Sequence, residues 1–211
     1  YSSADTQDLS DEKTSDKITE IETREQSILN EVIGTSSKEY PYSWEEIRIS
    51  EQPIGRIVTA AYLDCTGADV AIENAGGIRG GIPSGDITYS NLISISPYGN
   101  VIVEKELSGQ QIVDMLETSL EINRNCGETY EKQKELAAKG EDPYQIDFPA
   151  NSGSALQFGG VQAEYDITKP IGERVSNVKI GGFDIDLSKT YRVISNNYTA
   201  ENTIYPALAN A

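Results

Sequence analysis

The chain contains no histidine, and in 211 residues it has two cysteines, one methionine and one tryptophan. Absence of histidine excludes Ser/His/Asp triads, histidine zinc sites and the histidine-plus-carboxylate sites of two-metal phosphoesterases. Chemistry by this chain alone would fall to carboxylates, hydroxyls or a thiol. Two cysteines without metal-type spacing allow one disulfide at most. Cys65 lies on the apolar face of an expected helix and reads as a buried free thiol. No stretch approaches a membrane span, and the chain starts at Tyr1 without a signal-type apolar segment, as a mature or expressed fragment would.

Basic residues are also scarce: 17 against 34 acidic ones leave a formal net charge of −17. Such a surface repels phosphate backbones and anionic membranes, which argues against nucleic-acid binding. Any anion must meet a local positive patch. With 37% hydrophobic residues the chain can bury a core, so it should be soluble and globular.

Residues 1–16 are polar and acidic and read as a frayed lead-in. From Asp16, Ile18, Ile21, Ile28, Leu29 and Val32 recur at helical spacing, which predicts a helix ending near Gly34 that could connect to an upstream domain. Ile54, Val58, Ala61, Tyr62 and Cys65 predict a second helix, with Pro53 in its first turn and Gly67 at its stop. Asp69 to Glu73 reads as a short buried strand. Asp86 is expected to cap a short helix containing Leu92 and Ile93.

Asn100 to Leu107 is β-rich, and Ser108 with Gln111 makes a capping box for a helix carrying Ile112, Val113, Leu116 and Leu120. Asn123 to Asp147 is charged and reads as a surface excursion without an assigned role. Strands are expected over Val161 to Ile167, in a hairpin from Val178 through Gly181 and Gly182 to Ile185, and over Tyr191 to Ser195. Helices first and hairpins later indicate an α+β domain with a mixed sheet and packed helices.

The stretch NAGGIRGG, Asn74 to Gly81, is neither a Walker loop nor a dinucleotide fingerprint, because no Lys-Ser/Thr ending and no long helix follow. By itself it is a tight turn. Arg79 on it offers a guanidinium to an anion or a salt bridge to one of the many carboxylates. SPYGN and NNY place Tyr98 and Tyr198 on loops, where aromatics stack on flat rings or simply pack. No spacing singles out a glycosidase-type carboxylate pair.

Taken in order, ILNEVIG, QPIGRI, TGADVAIENAGGIRGGIPSGDITYSNLISISPYGN, ELSGQQIVDML, SGSALQFGGVQAEYD and KTYRVISNNY resemble the C-terminal domain of 5′-nucleotidases and UDP-sugar hydrolases. The likeness runs from about Asp16 to Tyr198. It implies an acidic lead-in and connector helix over residues 1–34 and a nucleotide-recognition domain over residues 35–211. A separate N-terminal metallophosphoesterase domain, with two divalent metal ions, would be the partner that cleaves phosphate. This chain would hold no cofactor and would be inactive by itself. The resemblance also implies an extracellular, cell-surface or periplasmic location.

The same resemblance assigns Arg79 and Arg48 to substrate oxygens near phosphate and ribose, and Asn74 to the nucleoside. Gly76 and Gly77 would permit close backbone approach, while Tyr98 and Tyr198 stand where the family stacks the base between aromatics. Ile204 aligns with a family aspartate that binds ribose hydroxyls, with Glu201 or Asn202 as substitutes. That departure supports an alternative: a binding or interaction module that kept the fold and lost the nucleotide.

Overall fold

A computed structural model describes residues 11–210; of the expected frayed lead-in over residues 1–16, residues 1–10 lie outside them. The first helix, α1 (Glu12–Leu29), starts where the Asp11 carboxylate accepts the Thr14 amide. It stops at Asn30, before the expected Gly34, and none of its residues is buried. Gly34 instead lies inside β1 (Val32–Ser36). β-branched Val32, Ile33 and Thr35 suit an extended backbone, and an edge was available to pair with. Residues 11–16 are thus a cap and a helical turn.

A short α2 (Glu46–Ile49) is followed by α3 (Pro53–Thr66), with Pro53 in the first turn and Gly67 in the left-handed conformation at φ 64° as its stop. Then come β2 (Val70–Asn74), a 3₁₀ turn over Ala75–Gly77, and β3 (Gly85–Thr88), which pairs antiparallel with β1. Asp86 sits in β3 and is not the cap of the helix that follows. The cap of α4 (Tyr89–Ile95) is Thr88, because the strand runs on to that residue; Thr88 and Asn91 exchange bonds of 2.8 and 3.3 Å.

After β4 (Ile102–Ser108), the Ser108–Gln111 capping box opens α5 (Gly109–Ala138) as expected. This 30-residue helix overturns the reading of Asn123 to Asp147 as a surface excursion over Asn123 to Ala138, whereas Lys139 to Asp147 lie outside it and are largely exposed. Ile112, Met115, Ser119, Ile122, Cys126 and Gln133 form one buried stripe along it. The stripe is narrow and partly polar, so mean composition concealed it. The Gln133 amide, for example, is satisfied by the Ile146 carbonyl at 2.7 Å.

The remaining strands are β5 (Leu156–Gly159), β6 (Val161–Tyr165), β7 (Val175–Ile180), β8 (Phe183–Asp184) and β9 (Thr190–Asn196), followed by single-turn helices α6 (Asn197–Ala200) and α7 (Pro206–Ala209). Gly181 and Gly182, at φ 60° and 85°, make the expected hairpin turn between β7 and β8. The main sheet runs β4-β9-β2-β5, with β2 parallel to β9 and the other pairs antiparallel. All five residues of β2 are buried. Since alternate side chains point to opposite faces, both faces of the sheet are covered there. α3 packs on β2 and β5, and α5 packs on β4 and β7, so the α+β reading holds.

Cys65 is exposed and Cys126 buried, the reverse of the expectation for Cys65; both are free. Spacing shows which residues share a helix face, not how far along the helix that face is covered. In native protein Cys65 should react rapidly with Ellman's reagent and Cys126 slowly, with both reacting at once in denaturant. Rapid native labelling of both thiols would contradict this burial.

Candidate functional site

The glycines after β2 are chosen for proximity. A Cβ on Gly77 would stand 2.0 Å from Glu73 Oε1, and one on Gly76 would stand 3.1 Å from the Gly153 carbonyl oxygen. Any larger residue would push apart the loops that meet here. Arg79 is anchored by its backbone amide to the Ile95 carbonyl at 2.8 Å and by Nε to the Gly76 carbonyl at 2.8 Å. Its guanidinium stands 5.5 Å from the centre of the Tyr98 ring. Among the described residues it forms no ion pair, so the salt-bridge alternative has no support.

Arg48, on α2, is 3% exposed. Its guanidinium lies 3.7 Å over the Trp44 ring, and Nη1 donates to the Trp44 carbonyl at 2.6 Å. Phe148 meets Trp44 edge-on at 4.9 Å and in turn contacts Tyr130 of α5, while Asn123 of α5 donates to the Arg48 carbonyl at 2.8 Å. The supposed surface excursion is therefore the scaffold of Arg48. Arg48 Nε and the Tyr42 hydroxyl are buried without a hydrogen-bond partner among the described residues. Burial lowers the Arg48 pKa, and the Arg79 charge adds to that against opposing contributions from Tyr42 and Cys126. An arginine nonetheless stays protonated.

One cavity of about 400 Å³ is lined by Arg48, Asn74, Gly76, Gly77, Arg79, Tyr98 and Tyr198 together. All seven residues named from sequence thus meet. Asn100, Ala150, Gly153 and Ser154 complete the wall. Asn100 ends the PYGN motif, and the Ser/Gly-rich SGS turn was visible inside SGSALQFGG, so both signals were present. Tyr98 and Tyr198 are 53% and 59% exposed, with ring surface free for a flat ligand. A larger cavity of about 750 Å³ lies between α3, α5 and β5–β6, but its one arginine, Arg56, is paired with Glu51.

Ile204 is absent from the pocket wall; it packs half-buried against the core. Asn202 bridges instead, donating to Ser154 Oγ at 3.0 Å and accepting the Ile204 amide at 3.0 Å. Glu201 is exposed and does not line the cavity. Among the described residues no group of three or more His, Cys, Asp or Glu is placed to hold a metal ion.

Beneath the loop lies a polar network. Glu73 Oε2 accepts from the Tyr62 hydroxyl at 2.7 Å and Oε1 from Asn196 Nδ2 at 2.5 Å. Asn196 Nδ2 also donates to Asn74 Oδ1 at 3.1 Å, an oxygen shared with the Thr199 hydroxyl at 3.0 Å. Asn74 Nδ2 donates to the Gly153 carbonyl at 3.0 Å, leaving one Nδ2 hydrogen for a ligand. Burial pushes Glu73 up to about 7, against the Tyr62, Asn196 and Asn74 hydrogen bonds that lower it.

The family model for the 5′-nucleotidase, C-terminal domain, matches residues 32–210. The 5′-nucleotidase of Vibrio parahaemolyticus is 27% identical over 197 residues, 91% of this chain and 30% of that protein. Protein UshA of Escherichia coli is 28% identical over 179 residues, 84% of this chain and 27% of its own length. This chain therefore spans less than a third of these curated relatives. A crystal structure of the 5′-nucleotidase precursor from Thermus thermophilus is similar with a TM-score of 0.71 at 25% identity, covering 93% of this chain and 36% of that one.

Two outcomes follow from the packing under the loop. Gly77→Ala should destabilise the fold by about 1–3 kcal/mol in urea unfolding, as overpacking does, and an unchanged midpoint would refute the close approach. Glu73 has a folded pKa of about 7 against an ordinary 4.5, so between these values the folded state holds a proton that the unfolded chain releases. Its contribution to stability falls as pH rises through that window and is lowest above it. The melting temperature of Glu73→Gln relative to the unmodified protein should rise from about pH 5 to about pH 8, and a constant difference would contradict the shift.

Proposed function

Because the chain belongs to the 5′-nucleotidase C-terminal domain family, we propose that it is the nucleoside-recognition half of a metal-dependent nucleotide phosphohydrolase. The observation that carries this reading is the convergence on one cavity of two arginines, free of ion pairs among the described residues, and two exposed tyrosines. In an otherwise acidic chain, those guanidiniums supply the positive potential an anionic ligand needs. Tyr98 and Tyr198 hold a base by its faces, each worth about 1–3 kcal/mol by stacking. Arg48 and Arg79 take phosphate or ribose oxygens, and the remaining Asn74 hydrogen orients the nucleoside. Gly76 and Gly77 admit the ligand to the backbone.

Hydrolysis belongs to another domain, which would carry the divalent metals and activate water. The donor set here does not fit metal ions, since no histidine exists and no carboxylate lines the cavity. This chain's part is to bind and orient the leaving nucleoside. On this reading the helix α1 is the connector to that domain. Placement outside the cytoplasm is part of the same reading, supported by the family; among the described residues no helix is long and apolar enough to cross a membrane. A second reading, a module that keeps the fold without the ligand, is favoured by Ile204, which turns its apolar side chain to the core where a ribose-binding aspartate is expected.

Calorimetric titration with AMP, adenosine and UDP-glucose separates the two. AMP should bind, and Arg79→Ala should weaken it about 10–100-fold, the worth of a charged hydrogen bond, with a smaller effect on adenosine. Tyr98→Ala should weaken adenosine by about 1–3 kcal/mol. The isolated chain should release no phosphate from AMP with magnesium, manganese, cobalt or zinc. Failure of all three ligands to bind would favour the second reading, and phosphate release would overturn the division of labour.

A further inference from the structure

Glu73 is an acid buried directly beneath the pocket, and the proposed recognition chemistry does not use it. Its environment is one-sided. Asn196 Nδ2 can only donate, so Oε1 must remain an acceptor. A proton must then sit on Oε2, where the Tyr62 hydroxyl, a donor to the carboxylate at 2.7 Å, has to turn and accept. Protonation also removes the charge that strengthens the Asn196 bond.

Asn196 is the branch point. Its Nδ2 holds Asn74 Oδ1 at 3.1 Å, and its Oδ1 accepts the Thr199 amide at 2.6 Å, capping the turn that carries Tyr198. Glu73 Oε1 also underlies Gly77, so closely that a Cβ there would collide with it. Three parts of the pocket wall therefore rest on one carboxylate: the Asn74 amide, the glycine turn and the Tyr198 turn. The neighbouring elements offer little else that titrates. Tyr62 faces Glu73 from α3, neutral Asn196 faces it from β9, and β5 places neutral Gln157 across the register. Among the described residues no lysine or arginine pairs with it.

We propose that Glu73 is a positioning residue of this pocket: gripped at one oxygen by Tyr62 and at the other by Asn196, it holds the Asn74 amide and the Tyr198 turn, so one proton retunes nucleoside affinity. The proposal rests on the nucleoside reading above. The ionised form matches the hydrogen-bond directions of the network, so binding is tighter above the midpoint than below it. Burial sets that midpoint at about 7, and the Tyr62 hydrogen bond lowers it.

Adenosine is the probe, because the phosphate of AMP itself titrates near a pKa of about 6. Its affinity should fall about 3–10-fold from about pH 8 to about pH 6, a change within the reach of a single lost hydrogen bond. Glu73→Gln should bind with a pH-independent affinity. Tyr62→Phe keeps the acid and removes its donor, so its midpoint should move upward; this variant serves if Glu73→Gln fails to fold. In parallel, NMR of the ligand-free protein should show the Gly77 and Thr199 amides titrating together near pH 7, and not in Glu73→Gln. A flat adenosine profile in the unmodified protein, or the unmodified profile persisting in Glu73→Gln, overturns the proposal. So do amides that fail to titrate. Titrating amides with no binding of adenosine or AMP at any pH would support the Glu73 coupling and sink the nucleoside reading instead.

Discussion

Parallel pairing of β2 with β9, Val70 against Val193, is the constraint on which the site depends. Parallel strands finish at the same end of a sheet, so the glycine turn after Asn74 and the turn after Asn196 must emerge side by side. Crevices beyond the carboxyl ends of parallel strands are where ligand loops gather in other sheets for the same reason. Here the antiparallel neighbour β5 contributes at that edge too, since Asn74 pairs with Leu156 and the Ser152–Ser154 turn immediately precedes that strand. Three chain segments distant in sequence thereby form one wall. The network of Glu73, Asn74, Asn196 and Thr199 joins two of them and reaches the third through Gly153.

A strongly acidic chain here places two arginines, and no carboxylate, on the wall of one recess. The net charge of −17 leaves acids in excess, yet among the described residues neither Arg48 nor Arg79 forms an ion pair with one. Arg79 is held by a backbone carbonyl and a ring, and Arg48 by a ring and a backbone carbonyl. Neutral anchors of this kind fix a guanidinium without neutralising it, which leaves its field for a ligand. The long α5 matters for the same reason, because Asn123 and the Tyr130–Phe148–Trp44 contacts hold Arg48 in place.

Burying Glu73 runs against stability, since an ionised carboxylate in a dry site is costly unless its partners are good. Tyr62 and Asn196 offset only part of that cost, as the upward shift of its pKa shows. A neutral isostere would fold at least as well above neutrality, so the position fits function better than folding alone. Buried polar groups that destabilise a core in this way gather where geometry must be held.

Local signals in the chain are strong where a residue type has a single physical use: Pro53 and Gly67 at the ends of α3, Ser108 with Gln111, and the Gly181–Gly182 turn were all legible. The motifs also named the seven pocket residues, through their resemblance to a family, without showing that they meet. Patterning failed where tertiary cover decides the outcome. Val32 continues a helical spacing but pairs within β1, Cys65 shares a face with Ile54 yet lies uncovered, and the charged half of α5 hides a buried stripe. The sequence by itself determined the capped and proline-started helices, the glycine hairpin, the charge balance and which residues were candidates, because capping, turn chemistry and net charge are local or additive. Only the tertiary structure decided that Glu73 underlies the glycine turn, that Trp44 carries Arg48 and that Ile204 leaves the pocket, because these depend on which distant surfaces exclude water from one another.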